Sequence, residues 1–210
     1  MTHPITLPSA TTLMAAPHRL LPRILHVQEG GQPRAYASAT LLADAIVTGH
    51  VVIDDVVLPY RPAMDDALVD TILACEPDRI ESAAHRTLKV FARLIALAQD
   101  PEVLLEPEAP ATSERFPLRA DLVAWTAYGV SQTFECGATD GRGIVAQLES
   151  GQVRVTVLPF AGLSMPAIQA YSFRRADNPR LPVFDEDDGR LAWAALMDRI
   201  TCRNSPTWAG

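Results

Sequence analysis

The stretch that decides the fold runs from residue 62 to residue 99 and reads PAMDDALVDTILACEPDRIESAAHRTLKVFARLIALAQ. Its second part carries apolar or small residues at every third or fourth position from Ile80 to Ala98, which predicts a helix with one buried face. The first part repeats apolar residues at the same spacing from Met64 to Cys75. We therefore expect a helical pair, at about residues 63–75 and 77–99, whose two members meet in a tight corner and share one core.

The apolar runs outside this pair predict an α+β fold. We expect an antiparallel or mixed sheet, with the helical pair and a C-terminal helix packed on it. The pattern leaves open whether Ala120–Val130 is a helix or a buried strand. The remaining predicted elements are a strand at Leu20–Gln28 with Arg34–Ala37 as its hairpin partner, a helix at Ser38–Val47, a strand at Val51–Leu58 with a bulge, a hairpin formed by Ile144–Leu148 and Val153–Leu158, a strand at Ala167–Phe173 and a helix at Leu191–Cys202.

The domain organisation follows from the same pattern. Residues 1–22 contain a mildly apolar patch but no clear hydrophobic block, and we interpret them as a loose N-terminal arm. Residues 23–210 are expected to form a single α+β domain. Within it, residues 100–117 contain four prolines with acidic residues between them, which is typical of a long surface loop or a subdomain boundary.

Composition excludes several classes of protein. No run of 18 apolar residues occurs, so the sequence predicts no membrane-spanning helix. Three widely spaced cysteines favour free thiols in a reducing compartment, and hence a cytoplasmic location. The five histidines are scattered, which argues against a zinc site, and no cofactor motif occurs. The preference for arginine over lysine is typical of a GC-rich, bacterial type of genome.

Negative charge is concentrated in one part of the chain. Residues 51–110 hold twelve acids and five bases, a net charge of −7, which equals the net charge of the whole protein. This acidic region is a candidate docking face for a partner protein with a basic surface, through Asp65, Asp66 and Asp70. Trp208, near the C-terminus, is a further candidate partner-binding residue. On this basis the sequence favours a non-catalytic adaptor or subunit of a complex.

The first alternative is an enzyme. The acidic run at Asp185, Asp187 and Asp188 could bind a hard cation, although acids at this position are also typical of a helix cap. Cys136 lies in a glycine-containing segment that we interpret as a loop, where a thiol could act as a nucleophile. His85 is a second catalytic candidate, on the polar face of its helix.

The second alternative is an RNA-associated subunit. Tyr171 and Phe173 precede Arg174 and Arg175, and RNA-binding surfaces combine stacking aromatic rings with arginine–phosphate pairs. Acidic residues also occur in this C-terminal part, so internal ion pairs are an equal explanation. Nucleic acid could also be reached through a partner protein.

Overall fold

A computed structural model of the chain describes residues 7–25, 33–74, 76, 81–111 and 118–204. Within this part, a six-stranded mixed sheet lies between helices on both faces, which confirms the α+β prediction. The elements in chain order are α1 (Ala10–Ala15), α2 (Pro17–Leu25), α3 (Pro33–Val47), β1 (Val51–Leu58), α4 (Asp66–Ile72), α5 (Ala83–Gln99), β2 (Leu104–Pro107), β3 (Leu122–Trp125), β4 (Ser131–Cys136), α6 (Gly141–Glu149), β5 (Arg154–Leu158), a 3₁₀ turn (Phe160–Ser164), β6 (Ile168–Arg175) and α7 (Glu186–Asn204).

The strand order across the sheet is β1-β6-β5-β4-β3-β2. All neighbouring strands are antiparallel except β4 and β5, which are parallel and are joined by the crossover helix α6. A crossover of this kind places the start of its helix beside the carboxyl end of the first strand. The end of β4 and the beginning of α6 therefore lie at one edge of the sheet.

Helix α5 is the centre of the first helical layer. Its residues from Leu88 to Leu97 are all buried, and α7 packs along it. The helical pair is confirmed, but both members begin later than predicted. Asp65 caps α4 by accepting a hydrogen bond from the Leu68 backbone N–H, and Ser82 caps α5 in the same way. Residues 75 and 77–80, which the prediction included, lie outside the described residues.

The second layer consists of α1, α2, α3 and α6, and it corrects the prediction for the N-terminal part. Residues 10–22 are not a loose arm, because Leu13 and Leu21 are fully buried in this layer. The expected strand at Leu20–Gln28 is wrong up to Leu25, where α2 ends, and the expected partner strand at Arg34–Ala37 belongs to α3. Buried residues recur at helical spacing in α2, and this periodicity decides its structure.

The predicted hairpin before β5 is also wrong. Its first arm, Ile144–Leu148, is part of α6, because Asp140 caps this helix by accepting the Arg142 N–H at 2.9 Å. The proline-rich 100–117 segment contains β2, and the undecided segment after it contains β3. The register between β1 and β6 is continuous, so the expected bulge in β1 is absent from this pairing.

Candidate functional site

A group of ionisable side chains surrounds the first half of α5, at the edge of the sheet where β2 and β4 end and β3 begins. Three of its members lie on α5, and the others come from segments next to α4, α5 and these strands. We call this group the α5 charge cluster. Its members are Glu76, Glu81, His85, Lys89, Arg93, Glu108, Asp121 and Glu135.

Lys89 is the centre of the cluster and is only 1% exposed. Its ammonium donates hydrogen bonds to Glu76 at 3.0 Å, Glu81 at 2.7 Å and Glu108 at 2.8 Å. Burial alone would lower the pKa of Lys89, but these three hydrogen bonds outweigh it and raise the pKa above its usual value. Lys89 is therefore charged at neutral pH. Arg93 pairs with Glu76 as well.

His85 and Asp121 connect α5 to the sheet. The His85 Nε2 atom is 3.2 Å from Asp121 Oδ1, and it is 3.9 Å from Glu81 Oε1. The other oxygen of Asp121 accepts the backbone N–H of Cys136 at 2.7 Å. The hydrogen bond with Asp121 raises the pKa of His85, against a smaller lowering by burial. Protonated histidine is thus favoured beside this carboxylate.

Glu135 lies next to Asp121 in the sheet. The β3–β4 register ends at Leu122 and Phe134, and Asp121 and Glu135 are the next residues on each side. Asp121 contacts His85 of α5, whereas Glu135 contacts Gln147 of α6. Glu135 is partly buried, and its Oε1 accepts a hydrogen bond from Gln147 Nε2 at 2.7 Å. Burial and the negative charge of Asp121 raise the pKa of Glu135 to about 8. This carboxyl therefore retains its proton in most molecules at neutral pH.

The charges in the cluster do not balance. Five carboxyl groups stand against three basic groups: Lys89, Arg93 and His85. The carboxylates of Glu76, Glu81, Glu108 and Asp121 are each paired with at least one of the three. Glu135 differs, because among the described residues its hydrogen-bond partner is a neutral amide and no basic side chain pairs with it. As a protonated carboxyl, Glu135 requires no basic partner at neutral pH.

Cys136 does not have the environment of a nucleophile. It is the last residue of β4, not part of a loop, and its side chain is 2% exposed. Burial raises the pKa of its thiol well above the usual value, and the charge of Asp121 acts in the same direction. His85, the other catalytic candidate, is partly buried and belongs to the charge cluster.

The acidic run at the start of α7 forms a helix cap. The Asp185 backbone N–H donates to Asp188, and the Asp188 backbone N–H donates to Asp185, both at 2.9 Å. Asp187 lies in the first helical turn, where the helix dipole favours an acid. In the part of the chain that the structure describes, no group of three or more His, Cys, Asp or Glu side chains is arranged to hold a metal ion.

The predicted docking residues have different surroundings. Asp65 caps α4, Asp70 pairs with Arg86, and Asp66 is exposed in the first turn of α4. Trp208 lies outside the described residues. Asp65, Asp66 and Asp70 are all exposed, and the acidic docking face stays a prediction.

The predicted RNA-binding residues lie mostly in the core. Tyr171 is 2% exposed and donates its hydroxyl to the Pro8 carbonyl, and Phe173 is fully buried. Arg174 is buried and donates to Asp54 at 2.5 Å, so Arg175 is the exposed member of the set. Buried rings cannot stack on bases, and the structural basis for this prediction is therefore lost.

Comparison with known proteins gives no relative: no protein-family model, no curated protein and no solved structure matches this chain. Among the described residues, no helix is long and apolar enough to cross a membrane. The site therefore has to be interpreted from its own chemistry. Sequence analysis missed Asp121 and Glu135, since they are 14 positions apart and become neighbours only when β3 and β4 pair. Lys89 had one recognisable feature, because it is the only lysine in the chain.

Proposed function

We propose that this protein is an enzyme that hydrolyses phosphodiester bonds with the help of a divalent cation, and that Asp121 and Glu135 hold this cation. The observation that carries the proposal is that these two carboxyl groups lie near each other where β3 begins and β4 ends, and that no basic side chain pairs with Glu135 among the described residues. A divalent cation would supply the missing positive charge and favour the ionised form of Glu135.

The ligand set fits magnesium. Mg²⁺ retains several waters and is commonly bound through one or two carboxylates together with oxygens of a substrate phosphate. Within the described ranges, no group of three or more ligating side chains occurs. A magnesium site with two protein carboxylates does not require such a group. Bound to this pair, the cation would activate a water molecule and polarise the phosphoryl group.

The location within the fold supports an anionic substrate. The pair lies at the carboxyl end of β4, where the crossover to the parallel strand β5 begins, and ligands of α/β sheets commonly bind at such ends. The start of α6 is at the same edge and favours negative charge. Two exposed arginines are near in sequence, because Arg119 precedes Asp121 and Arg142 is in the first turn of α6.

The neighbouring groups have roles in this reaction. Water would attack phosphorus and release a proton to the solvent, the bond from phosphorus to the leaving oxygen would break, and that oxygen would take up a proton. His85 is partly exposed, and Asp121 favours its protonated form. His85 would supply this proton. Lys89 holds Glu76, Glu81 and Glu108 in place. Asp121 would bind the cation in addition to its hydrogen bonds with His85 and the Cys136 N–H.

The test is cleavage of bis(p-nitrophenyl) phosphate and of DNA and RNA oligonucleotides, with Mg²⁺, with Mn²⁺ and with EDTA. Asp121→Asn and Glu135→Gln should each lower the rate by more than the roughly 10- to 100-fold that loss of an outer partner of a metal ligand costs. Asp66→Asn, which changes an exposed acid of α4, is the matched control and should retain activity. Cleavage that persists in EDTA, or in Glu135→Gln, would contradict the proposal.

The adaptor hypothesis, with a partner that has a basic surface, stays a prediction of the sequence, as does the cytoplasmic location. The acids that motivated the adaptor hypothesis serve internal contacts at Asp54, Asp65 and Asp70, so we rank it below the enzyme. A cation-independent complex with a basic protein, disrupted by charge reversal at Asp66, would restore it to first place.

A further inference from the structure

A buried arginine at the beginning of β5 has no acidic partner of its own. Arg154 is 4% exposed, and its Nη2 donates a hydrogen bond to the Pro179 carbonyl at 3.1 Å. Within the described ranges, its Nη1 has no hydrogen-bond partner and no carboxylate forms an ion pair with it. Asp54, the acid whose charge favours the charged form of Arg154, pairs instead with Arg174 and Arg180. Burying a guanidinium costs free energy unless a paired anion compensates its charge.

The positive charge in this part of the sheet exceeds the negative charge. The β5–β6 register places Arg154 opposite Arg174, which is 5% exposed and donates to Asp54 and to three backbone carbonyls. Burial and the charge of Arg174 lower the pKa of Arg154 to about 10, although Asp54 acts in the opposite direction. Arg154 is therefore still charged at neutral pH, and one aspartate serves two buried guanidinium groups.

Arg154 lines a small cavity where β4 and β5 begin. The lining also includes Thr126, Val130 and Gln132, and the volume of the cavity is about 20 Å³. A water-sized particle needs about 10–15 Å³ of such space, so the cavity has room for one small ion but not for a phosphate ester. Val130 is 42% exposed, so ions can enter from this side. Two of the lining residues carry further buried atoms without a partner in the described part of the chain: Thr126 Oγ1 and Gln132 Oε1.

We propose that this cavity binds a monovalent anion of the size of chloride, with Arg154 as its countercharge and the Thr126 hydroxyl as a second donor. Gln132 can supply a third donor. Its Nε2 donates to Gln99 Oε1 at 2.6 Å, and exchanging the two ends of both amides keeps this bond and frees the Gln132 NH₂ group for the anion. The anion site is independent of the proposed function, because it lies at the opposite end of β4 from Glu135.

The experiment measures the Tm of the full chain while sodium gluconate is replaced by sodium chloride at constant ionic strength. An ion that binds only the folded state should raise Tm by about 3–6 °C for each tenfold increase in chloride above its dissociation constant. A water molecule in the cavity would satisfy the same hydrogen bonds but would give no chloride dependence. Arg154→Met should abolish the dependence. The matched control is Arg175→Met, which removes an exposed arginine paired with Asp177 and should retain it. An unchanged wild-type Tm, or a dependence that persists in Arg154→Met, would overturn the inference.

A second readout locates the ion in the wild type and does not depend on a variant that folds. Crystals grown in sodium bromide should show an anomalous scattering peak beside the Arg154 guanidinium. This peak together with a chloride-dependent wild-type Tm supports the inference even if Arg154→Met fails to fold. A water molecule at this position in bromide overturns it. A bromide peak without a chloride-dependent Tm would show binding at crystal concentration only, and it would overturn the inference as well.

Discussion

Glu135 should make the protein less stable as the pH rises, and Glu135→Gln should remove this effect. In the folded protein the pKa of Glu135 is raised from 4.5 to about 8 by burial and by Asp121. Between these two values the folded state binds more protons than the unfolded state, so the free energy of unfolding falls with increasing pH. The stabilising contribution is complete below about pH 4.5 and is lost as the pH rises to about 8.

The size of the effect on the free energy of unfolding follows from the pH interval between the two pKa values. Each pH unit within it costs about 1.4 kcal/mol, which gives about 3 kcal/mol between pH 5 and pH 7. Water at the exposed side of the carboxyl reduces this figure, and we expect about 2 kcal/mol. Glutamine cannot ionise, so the stability of Glu135→Gln relative to the wild type should increase by this amount over the same interval. His85 titrates in both proteins, and its contribution largely cancels in the comparison.

The assay is urea denaturation in EDTA at pH 5, 6, 7 and 8, followed by circular dichroism. Glu149→Gln, which changes an exposed carboxyl at the end of α6, serves as the control and should parallel the wild type. Under the proposed function, saturating Mg²⁺ should reduce the loss of stability toward pH 8. Parallel curves for Glu135→Gln and the wild type would show that Glu135 ionises normally, and the charge argument for the cation site would then fail.

Three further predictions concern packing and ion pairs. Lys89→Met leaves three carboxylates without their shared cation and should lower the free energy of unfolding by about 3–5 kcal/mol in urea; a loss below 1 kcal/mol would mean that these acids do not depend on it. Arg174→Ala, which leaves Asp54 without its buried partner, should cost several kcal/mol in the same assay, whereas Arg175→Ala at an exposed pair should cost about 1 kcal/mol or less; equal costs would contradict the assigned burial. Leu21→Ala should cost about 2–5 kcal/mol in thermal or urea unfolding, because Leu21 is fully buried; no measurable change would favour the loose arm.

Sequence patterns predicted the elements whose periodicity is long and unambiguous. Helix α5 has 17 residues with regularly spaced apolar side chains, and β1 and β6 are each eight residues long and rich in strand-forming residues. The start of α5 was less predictable. Ser82 caps the helix with its side chain, so α5 begins at Ala83, whereas the sequence pattern alone extends the helix back to Pro77.

Short apolar runs were misassigned because they fit both the helical period and the strand period. In α2 the run around Leu21 and Ile24 is compatible with a strand by composition. In α6 the Gly-containing segment after Glu149 resembles a hairpin turn. Two features favour the helix: the Asp140 cap, and the burial of Ile144 and Leu148 on one face. The burial depends on the sheet against which α6 packs.

Sequence analysis did not identify the candidate site, for a related reason. Asp121 follows a proline-rich segment, and Glu135 lies in β4, in the segment around Cys136 that we interpreted as a loop. Neither belongs to a motif with fixed spacing. They come near each other only because β3 pairs with β4, and the sequence left this pairing undecided. The acids that stand out in the sequence, at residues 185–188, instead form a local cap that needs no ligand.

The charge cluster also indicates why so many ionisable groups are retained near α5. Buried ion pairs seldom stabilise a protein more than well-packed apolar residues would, because each charge must be taken out of water. The Lys89 network is therefore poorly explained by stability alone. It does, however, fix three acidic side chains around one ammonium, next to the pair of His85 and Asp121. Replacing Lys89 and its three glutamates together by apolar residues should therefore preserve folding better than Lys89→Met alone, and retained Mn²⁺ binding in that variant would show that the network positions the site only weakly.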